Sequence, residues 1–383
     1  MKIAFLQIME NNAGGVDGVN RTVARELTRN GHRVKMFYLR RKTSAPERPL
    51  PCGVEVFTAR KNKDWHFTEG REIREALSNK RPFSAGGLFL RRLQDSREKK
   101  SDLKKIREAL LADAPDRIIV SHYLLLEAVP EKFLSRTAYH AHTSFAATVE
   151  NPDRFRVLSS YKGKIAFLWL SRTIREKAEE AGFAPSFFLY NPLPFLPQKF
   201  ADPAAHRAVA VTRFSEEKRL GKMASLFRRA AEKANDPDWE LHLFGTGDEM
   251  EKELAAISPD ALVHYGGVTD KPEEEYAKAS LSLNTSAFEG FSLSILESQA
   301  CGAVPVTFRF GEAAEEEILP GFTGILAEQN NEEAFVNALV ALMDDVSRRK
   351  RLGENARAWA KNFAPEKIAK EWEAFLQSAF PIA

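Results

Sequence analysis

Two series of short, nearly unbroken apolar runs alternate with helix-compatible segments, and the proline-dense stretch Leu189-Tyr190-Asn191-Pro192-Leu193-Pro194-Phe195-Leu196-Pro197 separates them. An apolar run without polar alternation suits a strand covered on both faces, which belongs to a parallel sheet flanked by helices. The first series opens at residues 2–8 and continues at 33–39, with a helix between them that reads from Val19 through Val23 and Leu27 and stops at Gly31. This order of strand, glycine loop, helix and strand opens a doubly wound α/β domain, whose ligands sit beyond the strand C-termini. The loop at residues 10–18 lacks the G-x-G-x-x-G spacing, so a dinucleotide fingerprint is excluded. Its Gly14 and Gly15 fit a close backbone approach to a substrate and a plain flexible turn equally well.

Further strands are expected at 117–123, 136–143 and 165–171, the last followed by a helix over 172–181. After the proline-dense linker the rhythm restarts, with strands at 208–211, 240–244, 262–265, 281–284 and 304–307 and a helix over 219–234. A helix over 332–344 places Phe335, Leu339 and Leu342 on one face, and a last helix over 365–380 carries Trp372 and Phe375. A chain of 383 residues exceeds one ordinary core. We therefore expect an N-terminal, acceptor-side domain over 1–194 and a C-terminal, ligand-binding domain over 195–364, with a cleft between them. The final helix, 365–383, is expected to pack back across their junction.

Composition narrows the setting. Cys52 and Cys301 make no metal or disulfide spacing, which suits a reducing cytoplasm. Residues 1–9 read as a buried first strand rather than a signal peptide, and no run approaches the roughly 18 apolar residues that span a bilayer. The net charge of +3 identifies no partner, but residues 60–108 carry 15 Lys/Arg against 8 Asp/Glu. We read them as a charged insertion containing Pro82 and Gly86-Gly87, with a helix over 97–111 and a mobile tip. Its basic face suits a solvated helix surface, and also a polyanion or an anionic membrane surface. His140 and His142 would share one face of a strand, but no further metal ligand is evident nearby, so a polar contact in a cleft is the better reading.

The segment 288–297 holds Glu289 in a glycine-containing turn and Glu297 eight residues on, inside an apolar run. A helix starting near Ser292 would aim its first N–H groups at whatever lies beside Glu289, a ready site for phosphate. Glu297, more than a turn further along, could take the hydroxyls at the other end of the same ligand. A nucleotide-sugar has both handles, a diphosphate and a ribose diol. Upstream, Val211-Thr212-Arg213-Phe214-Ser215-Glu216-Glu217-Lys218 delivers two cations at a strand C-terminus. Arg grips a phosphate bidentately while Lys acts as a point charge.

Arg213 with Lys218, then Gly266-Gly267-Val268, then Glu289 and Glu297 with the continuation Ala300-Cys301-Gly302-Ala303-Val304-Pro305-Val306, resemble a retaining glycosyltransferase of the GT4 type. The resemblance implies the GT-B fold of two facing Rossmann-like domains. Over 288–297 the wording is similar to the branch that glucosylates poly(glycerol phosphate) wall teichoic acids and glycosylates serine-rich surface proteins, although the large N-terminal sheet insertion of many members has no room here. Carried over by resemblance, Arg213 and Lys218 neutralise the donor pyrophosphate, and the amides of Gly290, Phe291, Ser292 and Leu293 hold phosphate and sugar. Glu297 would bind the ribose and Glu289 the sugar hydroxyls, with Val268 beside the donor. His142, or else His140, matches the family histidine that contacts the donor sugar, and Gly14 and Gly15 would border acceptor and donor phosphates.

The resemblance also implies a uridine diphosphate donor of glucose or N-acetylglucosamine, with no other cofactor. No Asp-x-Asp metal motif is apparent, so the two cations are expected to replace a metal. Retention would follow from a front-face path in which the leaving phosphate helps deprotonate the acceptor hydroxyl. The expected acceptor is a cell-envelope glycan, a teichoic-acid-like polymer or a surface protein, for a cytoplasmic enzyme able to associate with an anionic membrane, with no nucleic-acid partner and with a homo-oligomer left open. The alternatives are a nucleotide-sugar epimerase, a sugar phosphorylase or a non-catalytic partner subunit of the same fold. The last would be expected to lose the cations or the glutamates, and this chain keeps all four.

Overall fold

The computed structural model describes residues 1–10, 14–41, 49–61, 82–235, 238–257 and 261–378, except for the side chains of 82–94. The first sheet contains β1 (Lys2–Glu10), β2 (Arg33–Arg41), β3 (Glu55–Arg60), β4 (Arg117–Val120), β5 (Thr137–His140), β6 (Ala166–Trp169) and β7 (Ser186–Phe188), in the order β3-β2-β1-β4-β5-β6-β7. The second contains β8 (Arg207–Val211), β9 (Glu240–Phe244), β10 (Val263–Tyr265), β11 (Leu281–Asn284), β12 (Val304–Phe308) and β13 (Ile325–Ala327), in the order β10-β9-β8-β11-β12-β13. β8 pairs in parallel with both β9 and β11, as β1 does with β2 and β4. Each sheet grows outward on one side of its founding strand and then returns to the other side. The order therefore reverses between β1 and β4 in one sheet and between β8 and β11 in the other, and a doubly wound sheet opens its ligand crevice at such a reversal.

Contacts divide the chain into two compact units. One comprises Met1–His140, Arg156–Phe167 and the chain end from Leu376, and the other Ala141–Phe155 and Leu168–Phe375. In the second, Leu241 and Leu243 of β9 and Ala208 and Ala210 of β8 turn one way, as the two-residue strand period requires. They pack on Leu226 and Phe227 of helix α4 (Leu220–Lys233) and on Phe335 and Leu339 of α8 (Glu332–Met343). Fully burying each large side chain of this kind contributes about 1.5–3 kcal/mol. This core holds the strand ends that form the site.

Several elements differ from expectation. Helix α1 (Gly15–Arg29) starts four residues before Val19, so Gly14 and Gly15 stand at its N-terminus rather than within a loop. The early start is fixed by Asp17, which is buried in the first turn and accepts from Arg21 Nε at 2.7 Å and from the Tyr38 hydroxyl at 2.9 Å. Helix α2 (Pro82–Asp113) runs through Gly86-Gly87 without a break, while residues 62–81 of the expected insertion lie outside the described residues. One side of α2 is core rather than basic surface. Leu103, Ile106 and Leu110 are buried, and the fully buried Asp102 accepts from Arg40 Nε and Arg60 Nε at 3.2 and 3.0 Å. β5 ends at His140, so His142 lies past the strand and the two imidazoles do not share a strand face.

Candidate functional site

A small pocket, open to solvent, lies at the C-terminal ends of β8 and β11, where the second sheet reverses. Val211 and Thr212 line it from one strand, Ser282, Asn284, Thr285 and Ser286 from the other, and Lys218, Tyr276 and Ser294 complete it.

The loop after β8 is shaped by glycines across from it. Thr212 N–H donates to Phe244 O at 2.9 Å, and Phe214 N–H to Thr246 O at 3.0 Å, laying the loop on Gly245-Thr246-Gly247. A Cβ on Gly245, whose φ is +136°, would lie 1.8 Å from Thr212 O, and one on Gly247 would lie 2.0 Å from Phe214 O. Only glycine permits this approach. The loop then makes one 3-10 turn, Glu216–Lys218, and Arg219 adopts the left-handed region at φ 53°, ψ 50°. That conformation costs a non-glycine residue roughly 1–2 kcal/mol. It is held by the Thr285 hydroxyl, which donates to the carbonyls of Lys218 and Arg219 at 2.9 and 3.2 Å, and by Ala287 N–H, which donates to Glu217 O at 2.8 Å.

The result is a direct meeting of two residues singled out from sequence. Lys218 Nζ donates to Glu289 Oε1, and Ser286 Oγ donates to the same oxygen at 2.8 Å. The Lys218 and Glu289 side chains are only 13% and 15% exposed. Arg213, 63% exposed, pairs with Glu217 at 2.7 Å. The sequence suggested two cations open to phosphate, whereas here each is engaged by a carboxylate. A shielded ammonium that gives up hydration is stable only with such a partner.

Helix α7 (Leu293–Cys301) begins beside this pair, with Ser292 as its N-cap. The Ser292 amide is not open to an anion, because it donates to Glu317 Oε2 at 2.9 Å. Glu317 is fully buried, and burial, reinforced by the nearby Glu289, holds its carboxyl well above the usual range against the opposing pull of the Ser292 N–H and Lys218. The amides of Leu293 and Ser294 are first-turn donors that no helical carbonyl reaches, and Ser294 lines the pocket. Glu297, one turn further along, is raised to about 8 by burial and by Glu273. The fully buried Tyr276 interacts with it electrostatically, and the Tyr276 hydroxyl has no hydrogen-bond partner among the described residues.

The remaining candidates have varied surroundings. Phe291 turns its ring into an aromatic cluster with Tyr190 and Phe363, 5.3 and 5.5 Å away, and its carbonyl accepts from Asn191 Nδ2 at 3.2 Å. The Phe291 side chain therefore anchors the loop. A Cβ on Gly290 would come within 3.0 Å of Thr143, so the segment just after His142 lies against the Glu289 turn. Burial pushes the His142 imidazole down to about 3, which keeps it neutral. Val268 is 69% exposed, next to the left-handed Gly267 at φ +83°. His140 is buried at the end of β5, and Gly14 and Gly15 open α1 in the first unit. The sequence reading missed Asn284, Thr285, Ser286, Tyr276 and Glu317. The polar triplet at the C-terminal end of β11 was a signal for the first three.

Residues 198–359 match the family model of glycosyl transferases group 1. This stretch is similar to a group 1 glycosyltransferase domain. The poly(glycerol-phosphate) alpha-glucosyltransferase of Bacillus subtilis (strain 168) is 31% identical over 170 residues, which are 44% of this chain and 25% of that protein. The chain thus spans about a quarter of the length of that curated relative, and less than half of seven further ones. Sucrose-phosphate synthase from Thermosynechococcus elongatus superposes with a TM-score of 0.74 at 16% identity, over 98% of both chains. Anabaena Alr3699/HepE in complex with UDP-glucose does so with a TM-score of 0.70 at 17% identity, over 98% of this chain and 99% of its own. The architecture is the α/β GT-B fold with two Rossmann-like sheets, and the stretch that matches the group 1 model carries the reversal-point pocket. Among the described residues, no helix is long and apolar enough to cross a membrane.

Proposed function

We propose that the chain is a retaining hexosyltransferase that moves glucose or N-acetylglucosamine from a UDP-sugar to a hydroxyl of a cell-envelope acceptor. The observation that carries this reading is the Lys218–Glu289 pair, whose Lys218 lines the reversal-point pocket together with Ser294 of the first turn of α7. A diphosphate is the ligand that would use these groups together. Lys218 would exchange Glu289 for a phosphate oxygen, with Arg213 joining from the loop, and Glu289 would turn to the sugar hydroxyls. Breaking the anomeric bond builds negative charge on the leaving diphosphate, so fixed cations act most strongly in the transition state, without need of a metal. Glu297 would take the ribose, and neutral His142 would serve as a hydrogen-bond partner of the donor sugar rather than as a charge.

The Bacillus relative, a poly(glycerol-phosphate) alpha-glucosyltransferase by name, favours a teichoic-acid-like polymer as acceptor and glucose as the sugar. The structural neighbour bound to UDP-glucose favours uridine. The deciding experiment is a screen of nucleotide-sugars for released nucleoside diphosphate, followed by NMR of the transferred linkage. Release from a UDP-hexose by the parent chain, lost in Lys218→Ala and Glu289→Ala, is expected. Equal release by the variants overturns the reading, and a β-linkage from an α-donor overturns retention alone.

A further inference from the structure

The opposite end of the same sheet carries a second cluster with chemistry of its own. β9 and β10 pair in parallel with His242 directly across from His264. The core side of β9 is taken by Leu241 and Leu243, so Glu240 and His242 turn to the other face. There the two imidazole rings stand 5.0 Å apart at 36°, and Glu240 reaches both. Its Oε2 lies 2.9 Å from His242 Nε2 and its Oε1 lies 3.7 Å from His264 Nε2. One ligand atom from each residue lies within 4.8 Å of the other two.

We propose that Glu240, His242 and His264 form a binding site for a divalent transition-metal ion of the zinc class. Two imidazole nitrogens and one carboxylate oxygen are a donor set that suits zinc, and three protein ligands leave a fourth position for water. Bonds of about 2.1 Å in a tetrahedron place ligand atoms about 3.4 Å apart, and the two measured separations fall on either side of that value. Paired strands set the two histidines against each other, so the backbone supplies much of the preorganisation. Glu240, 51% exposed, lies on the solvent route to the site. The adjacent cation, Arg207, is held by Glu275 at 2.8 Å. The cluster is not part of the pocket. Glu240 is the first residue of β9, whereas the pocket loop bonds to Phe244, the last. A metal here would tie the edge strand β10 to its neighbour and take no part in group transfer.

The test uses the full chain without a polyhistidine tag, stripped with a chelator. It is titrated with Zn²⁺ by calorimetry and with Co²⁺ by visible absorption. One ion per chain, Co²⁺ ligand-field bands and a Zn²⁺-dependent rise in melting temperature are expected. Loss of a second-shell partner alone typically weakens metal binding about 10–100-fold, so His264→Ala, His242→Ala and Glu240→Gln should each weaken it at least about tenfold. Far-UV circular dichroism verifies that each variant is folded, and the milder His264→Gln replaces any that is not. Absence of saturable Zn²⁺ binding by the parent chain, or undiminished binding by the folded variants, overturns the proposal.

Discussion

Lys218 and Glu289, 71 residues apart in sequence, form an ion pair in which both side chains are largely shielded from water. The pair joins the loop after β8 to the turn before α7, and its Lys218 lines the pocket. Removing one partner strands the other in a poorly solvated place, which costs up to about 3–5 kcal/mol for a buried pair. Lys218→Met and Glu289→Gln should therefore each lower the urea midpoint and cut transfer by about 100-fold or more. The double variant Lys218→Met with Glu289→Gln should recover stability relative to either single change while staying inactive. Additive stability losses in that cycle would show that the pair is not coupled.

Gly245 shapes the same loop from below. Its Cβ position is blocked by Thr212 O and its φ is +136°, whereas Gly267, at φ +83°, has open space around it. Gly245→Ala should cost more than about 2 kcal/mol, since overpacking alone costs about 1–3, and it should weaken UDP binding by displacing Arg213. Gly267→Ala should cost only the left-handed penalty of about 1–2 kcal/mol. Urea midpoints of the two variants compare the effects, and equal losses would mean that the carbonyl contact is unimportant.

These two cases mark where the sequence could be read and where it could not. The short apolar runs at β1, β2, β8, β9, β11 and β12 announce covered strands, and they carry the doubly wound order. β7 and β13, of three residues each, went unread, although the equally short β10 was marked by the run at 262–265. Arg213, Lys218, Glu289 and Glu297 were visible as charges near turns and helix starts. Their partners were not, because the Lys218–Glu289 contact depends on a left-handed Arg219 held by Thr285, a tertiary effect. Glu317 lies in the run Glu315-Glu316-Glu317, which reads as solvated surface, yet only its neighbours Glu315 and Glu316 remain outside the core. His140 and His142 looked like a strand pair because period two cannot reveal where a strand stops.

Glu297 gives the fold a pH dependence of definite sign. Its carboxyl titrates at about 8 in the folded chain against a reference of 4.5. Between those values the native state keeps a proton that the unfolded chain has released, so stability falls as pH rises. The contribution is complete below about pH 4.5 and lost by about pH 8. Glu297→Gln mimics the protonated form and should escape that loss. Urea midpoints at pH 5 and pH 8.5 should show the Gln variant gaining on the parent chain towards alkaline pH. A gap that stays constant across the range would contradict the role of burial.

Glu317 closes the helix start from inside the protein. It accepts the Ser292 N–H at 2.9 Å, while its Oε1 has no partner among the described residues. Its carboxyl titrates well above the usual range, and the neutral acid can still accept that bond. Glu317→Ala removes the acceptor and leaves a buried amide unsatisfied, a loss of about 1–3 kcal/mol, with a cavity penalty added. Glu317→Gln keeps a carbonyl oxygen in place and should hold stability within about 1 kcal/mol, because the amide resembles the protonated acid. Since Ser292 fixes both the Glu289 turn and the first turn of α7, the Ala variant should also lose UDP affinity, with the Gln variant restoring it. Calorimetric UDP titration alongside urea unfolding decides the point: equal behaviour of Ala and Gln would show that the Ser292 bond does not set the pocket.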